Sequence, residues 1–236
     1  TADGGLIMAP DTISVYDGLV KTVSIKDKDN GAQAVIDLQY PSSCRVKKVP
    51  GLPNKLILSF DRYYVNKMLE GKLIVLDPGH GGKDRGKRGY INLWEKNITY
   101  EIAEFLKRDL RFYGAKPVLT REKDVICSDE ERAKIPHAVG ADMFLSIHTH
   151  WSEDISVKGC FCYYAGKRGK QLGEALLGEL NRKIRLNILG IAEKPQTRGS
   201  DMLNAGIPMA WIEVCAISNP VEEGWLRSPV FKARVA

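Results

Sequence analysis

The chain has 236 residues, 44% hydrophobic and 27% charged, the profile of a globular protein with room for one large domain or for a medium domain plus a small one. No run approaches the ~20 apolar residues that a membrane-spanning helix requires. The first residues, Thr1-Ala2-Asp3-Gly4-Gly5, have neither the basic head nor the apolar stretch of a signal peptide, as would also hold for a mature secreted protein. A net charge of +6 and a pI near 9.0 favour polyanionic partners. The charges are dispersed except around Lys83–Arg88, so a plain solvated basic surface is the simpler reading and no nucleic-acid partner is expected.

Residues 1–70 read as a small β-rich accessory domain. The short runs Val20–Ile25, Ala34–Leu38 and Lys55–Phe60 alternate or are β-branched, and the turn-rich stretches Lys26–Asn30 and Val49–Asn54 separate them, an antiparallel pattern without a histidine. From residue 71 to 236 the pattern changes to alternating strands and helices. Leu73–Leu76 is a continuous apolar run, as expected of a strand buried on both faces. Glu95–Tyr113 carries a helical stripe (Ile98, Ile102, Phe105, Leu106, Leu110, Tyr113), with Gly114 where a C-cap belongs. Lys116–Leu119 is the next strand. Ser128 and Glu131 form a capping box for a helix running to about Val139. Asp142–Ile147 and Gly159–Tyr164 are strands, Lys170–Ile184 a helix, Asn187–Ser200 a long connection, and Pro208–Val214 the last buried strand. This alternation predicts an α/β fold, a mostly parallel twisted sheet with helices on both faces.

Five cysteines, Cys44, Cys127, Cys160, Cys162 and Cys215, are odd in number and contain no CxxC pair, so neither a disulfide framework nor a four-cysteine metal site is expected. Cys160 and Cys162 read as small core residues on one face of a strand.

Four histidines are present, at 80, 137, 148 and 150. His80 follows the first buried strand in Asp77-Pro78-Gly79-His80-Gly81-Gly82, His148 ends the strand Asp142–Ile147, and Glu213 lies near the end of Met209–Val214. Sites in open α/β sheets form outside the carboxyl ends of the strands, so three strands bring two imidazoles and a carboxylate to one rim. Glu95, at the start of the helix after the first strand, shares it. Two histidines and a glutamate form a three-ligand set for catalytic zinc, with a fourth position for water and a further glutamate as general base. Each residue also has a plainer explanation. A lone histidine at a strand end is more often structural, and Glu95 alone would be a favourable charge at a helix N-terminus. His137, inside a helix, keeps the structural reading, and His150 is intermediate. Glu213 is harder to explain away, because a carboxylate in the apolar run Ala210–Val214 needs a partner or a metal. The glycine-rich stretch Gly81–Lys87 begins like a phosphate-binding loop but has Arg88 where Ser or Thr must follow. A dinucleotide fingerprint fails at Asp84.

From about Lys72 onward the chain resembles the zinc N-acetylmuramoyl-L-alanine amidases. The resemblance rests on Leu76–Gly82, Trp94-Glu95-Lys96-Asn97, Leu119-Thr120-Arg121, Glu130-Glu131-Arg132, Ala141–His148, Ile212-Glu213-Val214 and Ile217-Ser218-Asn219-Pro220. It implies that His80, Glu95 and His148 ligate zinc, that Glu213 is catalytic, and that the substrate is peptidoglycan, cut between N-acetylmuramic acid and L-alanine by a secreted autolysin of the cell wall or periplasm, expected as a monomer. Another zinc amidohydrolase or peptidase on the same scaffold is the alternative enzyme. A wall-binding domain without turnover is the alternative non-enzyme. Thr149-His150 departs from the small Ala-Asn pair usual after the second ligand, and Cys215 stands where glycine is common. The last helix stops early at Ala236, as a trimmed chain would. The first 70 residues are weakly similar to the β-rich wall-targeting modules that precede such domains. Some members carry an inhibitory helix after the second histidine. Here Thr149–Lys158 is too short for one, so a solvent-facing site needing no activator is expected, and only Asn187–Ser200 could fold over it.

Overall fold

The computed structural model describes residues 2–3, 11–15, 17–28, 31–51, 55–195 and 206–236. Parts of both turn-rich stretches (29–30 and 52–54) and the far end of the long connection (196–200) lie outside them. The chain divides into two compact units, Thr1–Leu69 and Glu70–Ala236.

In the first unit β1 (Ala2–Asp3), β2 (Asp11–Ser14), β3 (Val20–Lys28) and β4 (Gly31–Leu38) form an antiparallel sheet in the order β1-β4-β3-β2. A separate antiparallel pair, β5 (Cys44–Val49) and β6 (Lys55–Phe60), precedes the short helix α1 (Tyr63–Leu69). The antiparallel pattern is therefore present, with β1, β2, β5 and α1 in addition to the three expected runs.

The second unit holds β7 (Leu73–Pro78), α2 (Glu95–Phe112), β8 (Lys116–Leu119), α3 (Asp129–Val139), β9 (Met143–His150), β10 (Cys160–Ala165), α4 (Gly166–Ile184), β11 (Ile188–Glu193), β12 (Met209–Ala216), α5 (Pro220–Leu226) and α6 (Pro229–Val235). Its six strands lie in the order β11-β10-β12-β9-β7-β8. Every neighbouring pair is parallel except β10 with β12. The mostly parallel α/β sheet is thus as the strand–helix alternation predicts, with one reversal. The central strands are buried on both faces. Val75, Phe144, Met209 and Trp211 pack with Ala133 of α3 on one side. On the other, Gly173 of α4 meets Cys162 and Ile191 so closely that a Cβ would press on the Cys162 sulfur.

Local signals hold at the helix ends. Ser128 Oγ accepts from Glu131 N while Glu131 returns a bond to Ser128 N, the complete capping box. Helix α4 starts at Gly166, four residues ahead of the expected Lys170. Asn187–Ser200, expected as a connection, instead contains the edge strand β11. Its Gly190 and flanking polar residues mask a short run that is exposed or half-buried and lacks the unbroken apolarity of a central strand. Among the described residues no helix is long and apolar enough to cross a membrane. Cys160, Cys162 and Cys215 are buried, Cys44 exposed, and none is disulfide-bonded. Burial pushes the thiols of Cys160 and Cys162 up to about 12, so they stay protonated and act as small apolar residues.

Candidate metal centre and active site

The carboxyl ends of β7, β9 and β12 meet at one rim, and the register aligns them: Pro78 pairs with Ile147, and Glu213 with His148. The side chains line a cleft of about 570 Å³ together with the start of α2. His80, Glu95 and His148 come together, one potential ligand atom from each lying within 4.8 Å of the others. Glu95 stands between the imidazoles. Its Oε2 is 3.0 Å from His80 Nε2 and its Oε1 is 3.1 Å from His148 Nδ1. Two backbone N–H groups also point at it, Lys87 N to Oε2 at 2.9 Å and Thr149 N to Oε1 at 2.9 Å. Burial alone would raise the pKa of this carboxyl, but the hydrogen bonds and charges of His148 and His80 outweigh that and hold it far below the usual carboxylate range.

His80 is oriented from behind. Asp84 Oδ2 lies 2.8 Å from its Nδ1, leaving Nε2 to face the cleft. Burial disfavours the charged ring, yet bonding to Glu95 and Asp84 raises its pKa. The backbone makes this geometry tight. His80 itself takes a left-handed conformation, φ 62°. A Cβ at Gly79 would collide with the His148 ring, and one at Gly86 (φ 66°) with His80 and Glu95, so only glycine lets these strands and loops approach the two imidazoles. Two buried arginines clasp the same turn. Arg132 of α3 ion-pairs with Asp77 and donates to Pro78 O (3.0 Å) and His80 O (2.8 Å). Arg121 donates to Pro78 O (3.0 Å) and Lys96 O (2.8 Å).

Glu213 lies beside this triad without joining it. Its Oε2 is 2.6 Å from His150 Nδ1, and the His150 ring stacks on Phe161 with centroids 6.4 Å apart and an interplanar angle of 25°. Just past Glu213 the pairing of β12 with β9 shifts, and Cys215 has φ 56°. A bulge at this point re-aims the strand end at the site, and the left-handed residue sits where glycine would be easiest. His137 lies in the last turn of α3, is exposed, and does not line the cleft. Sequence reading missed Asp84, seen only as a failed glycine, and the roles of Arg121 and Arg132. It also missed Thr149, whose buried Oγ1 has no hydrogen-bond partner among the described residues. The four-residue spacing from His80 to Asp84 was the available signal for the first.

Two imidazole nitrogens and a carboxylate oxygen, gathered around one point and backed by an acid behind a histidine, could hold a metal ion through three protein ligands. The chain is similar to several known proteins. Over 184 residues it is 31% identical to the germination-specific N-acetylmuramoyl-L-alanine amidase of Bacillus subtilis, covering 71% of this chain and 76% of that protein. It is 28% identical over 199 residues to the probable cell wall amidase LytH of Staphylococcus epidermidis, covering 84% of this chain and 66% of that relative's length. Among solved structures, AmiC2 of Nostoc punctiforme, an N-acetylmuramoyl-L-alanine amidase, matches with a TM-score of 0.64 at 27% identity over 70% of this chain and 92% of its own. The CwlD amidase of Clostridioides difficile, solved in complex with the GerS lipoprotein, matches at 0.66 and 25% identity over 70% and 92%. Residues 74–236 fit the family model for N-acetylmuramoyl-L-alanine amidase, and the chain belongs to that family.

Proposed function

We propose that this protein is a zinc-dependent peptidoglycan hydrolase that cleaves the amide between the lactyl group of N-acetylmuramic acid and the L-alanine of the peptide stem. The observation that carries the reading is the convergence of His80, Glu95 and His148 on one cleft with Glu213 beside them, in a chain of a family named for that bond. In this reading the first three residues hold the metal, which when bound supplies Lewis acidity toward the scissile carbonyl and the attacking water.

The protein's own groups do the rest. Asp84 fixes the His80 tautomer with Nε2 inward. The backbone amides of Lys87 and Thr149 hold the Glu95 carboxylate in place. Glu213 takes the proton of the attacking water on its carboxylate and passes it to the alanine nitrogen, so the C–O bond forms, the C–N bond breaks, and a lactyl carboxylate and a free α-amine result. His150 holds the Glu213 carboxylate in place for both transfers. All of these groups come from one chain, which supports action as a monomer. The wall substrate supports a secreted protein of the cell wall or periplasm. Residues 1–70 act as a wall-targeting accessory module, a role supported by their separate β fold.

Metal content and turnover in single variants test the roles. His80→Ala and His148→Ala lose bound zinc, because two protein ligands remain. Glu213→Gln keeps the metal and loses about 10²–10⁴ in rate. The reverse pattern, zinc lost from Glu213→Gln and kept by His148→Ala, overturns the assignment.

A further inference from the structure

We propose that Lys87 reads a carboxylate on the substrate, selecting stems in which the residue after L-alanine carries a free carboxylate over those in which it is amidated; this rests on the amidase reading above. Lys87 is the only lysine or arginine among the described residues lining the cleft. The acids of that cleft are already engaged. Asp84 is bonded to His80 and to Gly86 N, Glu95 to two imidazoles and two backbone amides, and Glu213 to His150. The Lys87 ammonium instead lies over the half-exposed Trp151 ring, 4.4 Å from its centroid, with no ion pair to a carboxylate among the described residues.

Its position is also prepared. Lys87 N donates to Glu95 Oε2 (2.9 Å) and its carbonyl accepts from Glu95 N (3.0 Å), which staples the residue to the first turn of α2. The neighbouring Arg85 and Arg88 pack on Trp94, 5.1 and 5.5 Å from its ring, so they stay turned away from the cleft. A lysine fixed by its backbone to Glu95, and by its amine to an aromatic face, offers an immobilised and unneutralised charge in the same cleft. On the substrate, the glycan side of the scissile amide is a neutral sugar ether. Negative charge comes from the peptide side, and the residue after alanine lies one Cα–Cα step, ~3.8 Å, further on. Its α-carboxyl is an anion when free and neutral when amidated, the difference that a point charge detects.

The test uses the full chain loaded with zinc and two muramoyl dipeptides that differ only in carboxylate against carboxamide on the second residue. The wild type shows a kcat/KM ratio of about fivefold for the acid, the size of an exposed ion pair, and the ratio falls as salt is raised. Lys87→Arg keeps the preference and Lys87→Gln brings the ratio to about one. Equal rates for the wild type, a ratio indifferent to salt, or a preference that survives Lys87→Gln overturns the assignment while leaving the amidase reading standing. Failure of the zinc-loaded wild type to release alanine-terminated peptide from either compound overturns the amidase reading itself, and Lys87 with it.

Discussion

Asp77 shows how much of the site depends on a residue that is not at the reacting bond. It is almost fully buried and accepts from Thr120 Oγ1 and Ser146 Oγ, both at 2.6 Å, besides its ion pair with Arg132. Burial pushes its pKa up, but Arg132, Ser146 and Thr120 outweigh it and hold the carboxyl below its ordinary 3.8. A folded pKa below the unfolded one means stability that is complete above about 3.8 and is lost as pH falls through the folded value. Asp77→Asn therefore costs about 3–5 kcal/mol at pH 7, because Arg132 is left buried without its partner. The gap between variant and wild type narrows below pH 4. Urea unfolding at several pH values measures both, and a gap independent of pH contradicts the role given to the pair. His80 lies three residues on, so the same variant disturbs the turn that Arg132 bonds at His80 O.

At the scale of elements, the site is built where parallel strands end and the loops after them begin. The strand ends carrying His80 and His148 were legible because unbroken apolar runs stop at polar residues, Glu213 because a carboxylate interrupts an otherwise apolar strand, and Glu95 because a helical stripe starts there. Strand β11 was not legible, since an edge strand that is exposed or half-buried lacks that apolarity. Loop residues such as Lys87 and Asp84 were not either, because their roles arise from a tertiary approach that glycines at 79 and 86 permit. Between β9 and β10 the chain makes only bends and turns, with no helix to cover the cleft. The purified zinc-loaded protein is accordingly expected to digest peptidoglycan without an activator. Digestion seen only after a partner is added, or after a segment is deleted, would show that another part of the chain blocks the cleft.

For the whole molecule, the two compact units differ in kind, a pair of small antiparallel sheets in one and the site-bearing α/β sheet in the other. Residues 70–236 alone are expected to fold cooperatively, keep zinc and cleave small soluble muropeptides, while binding to whole sacculi weakens. Sedimentation with sacculi and metal analysis of the fragment check this, and an unfolded or metal-free fragment would make the first unit part of the catalytic core. The central claim, a metal-dependent cut between N-acetylmuramic acid and L-alanine, is tested most directly by identifying the new ends in peptidoglycan digested by the full chain. Peptides beginning with a free L-alanine amine are expected, abolished by a chelator and restored by zinc. Fragments in which the stem remains joined to the glycan, or cleavage indifferent to the chelator, would contradict it.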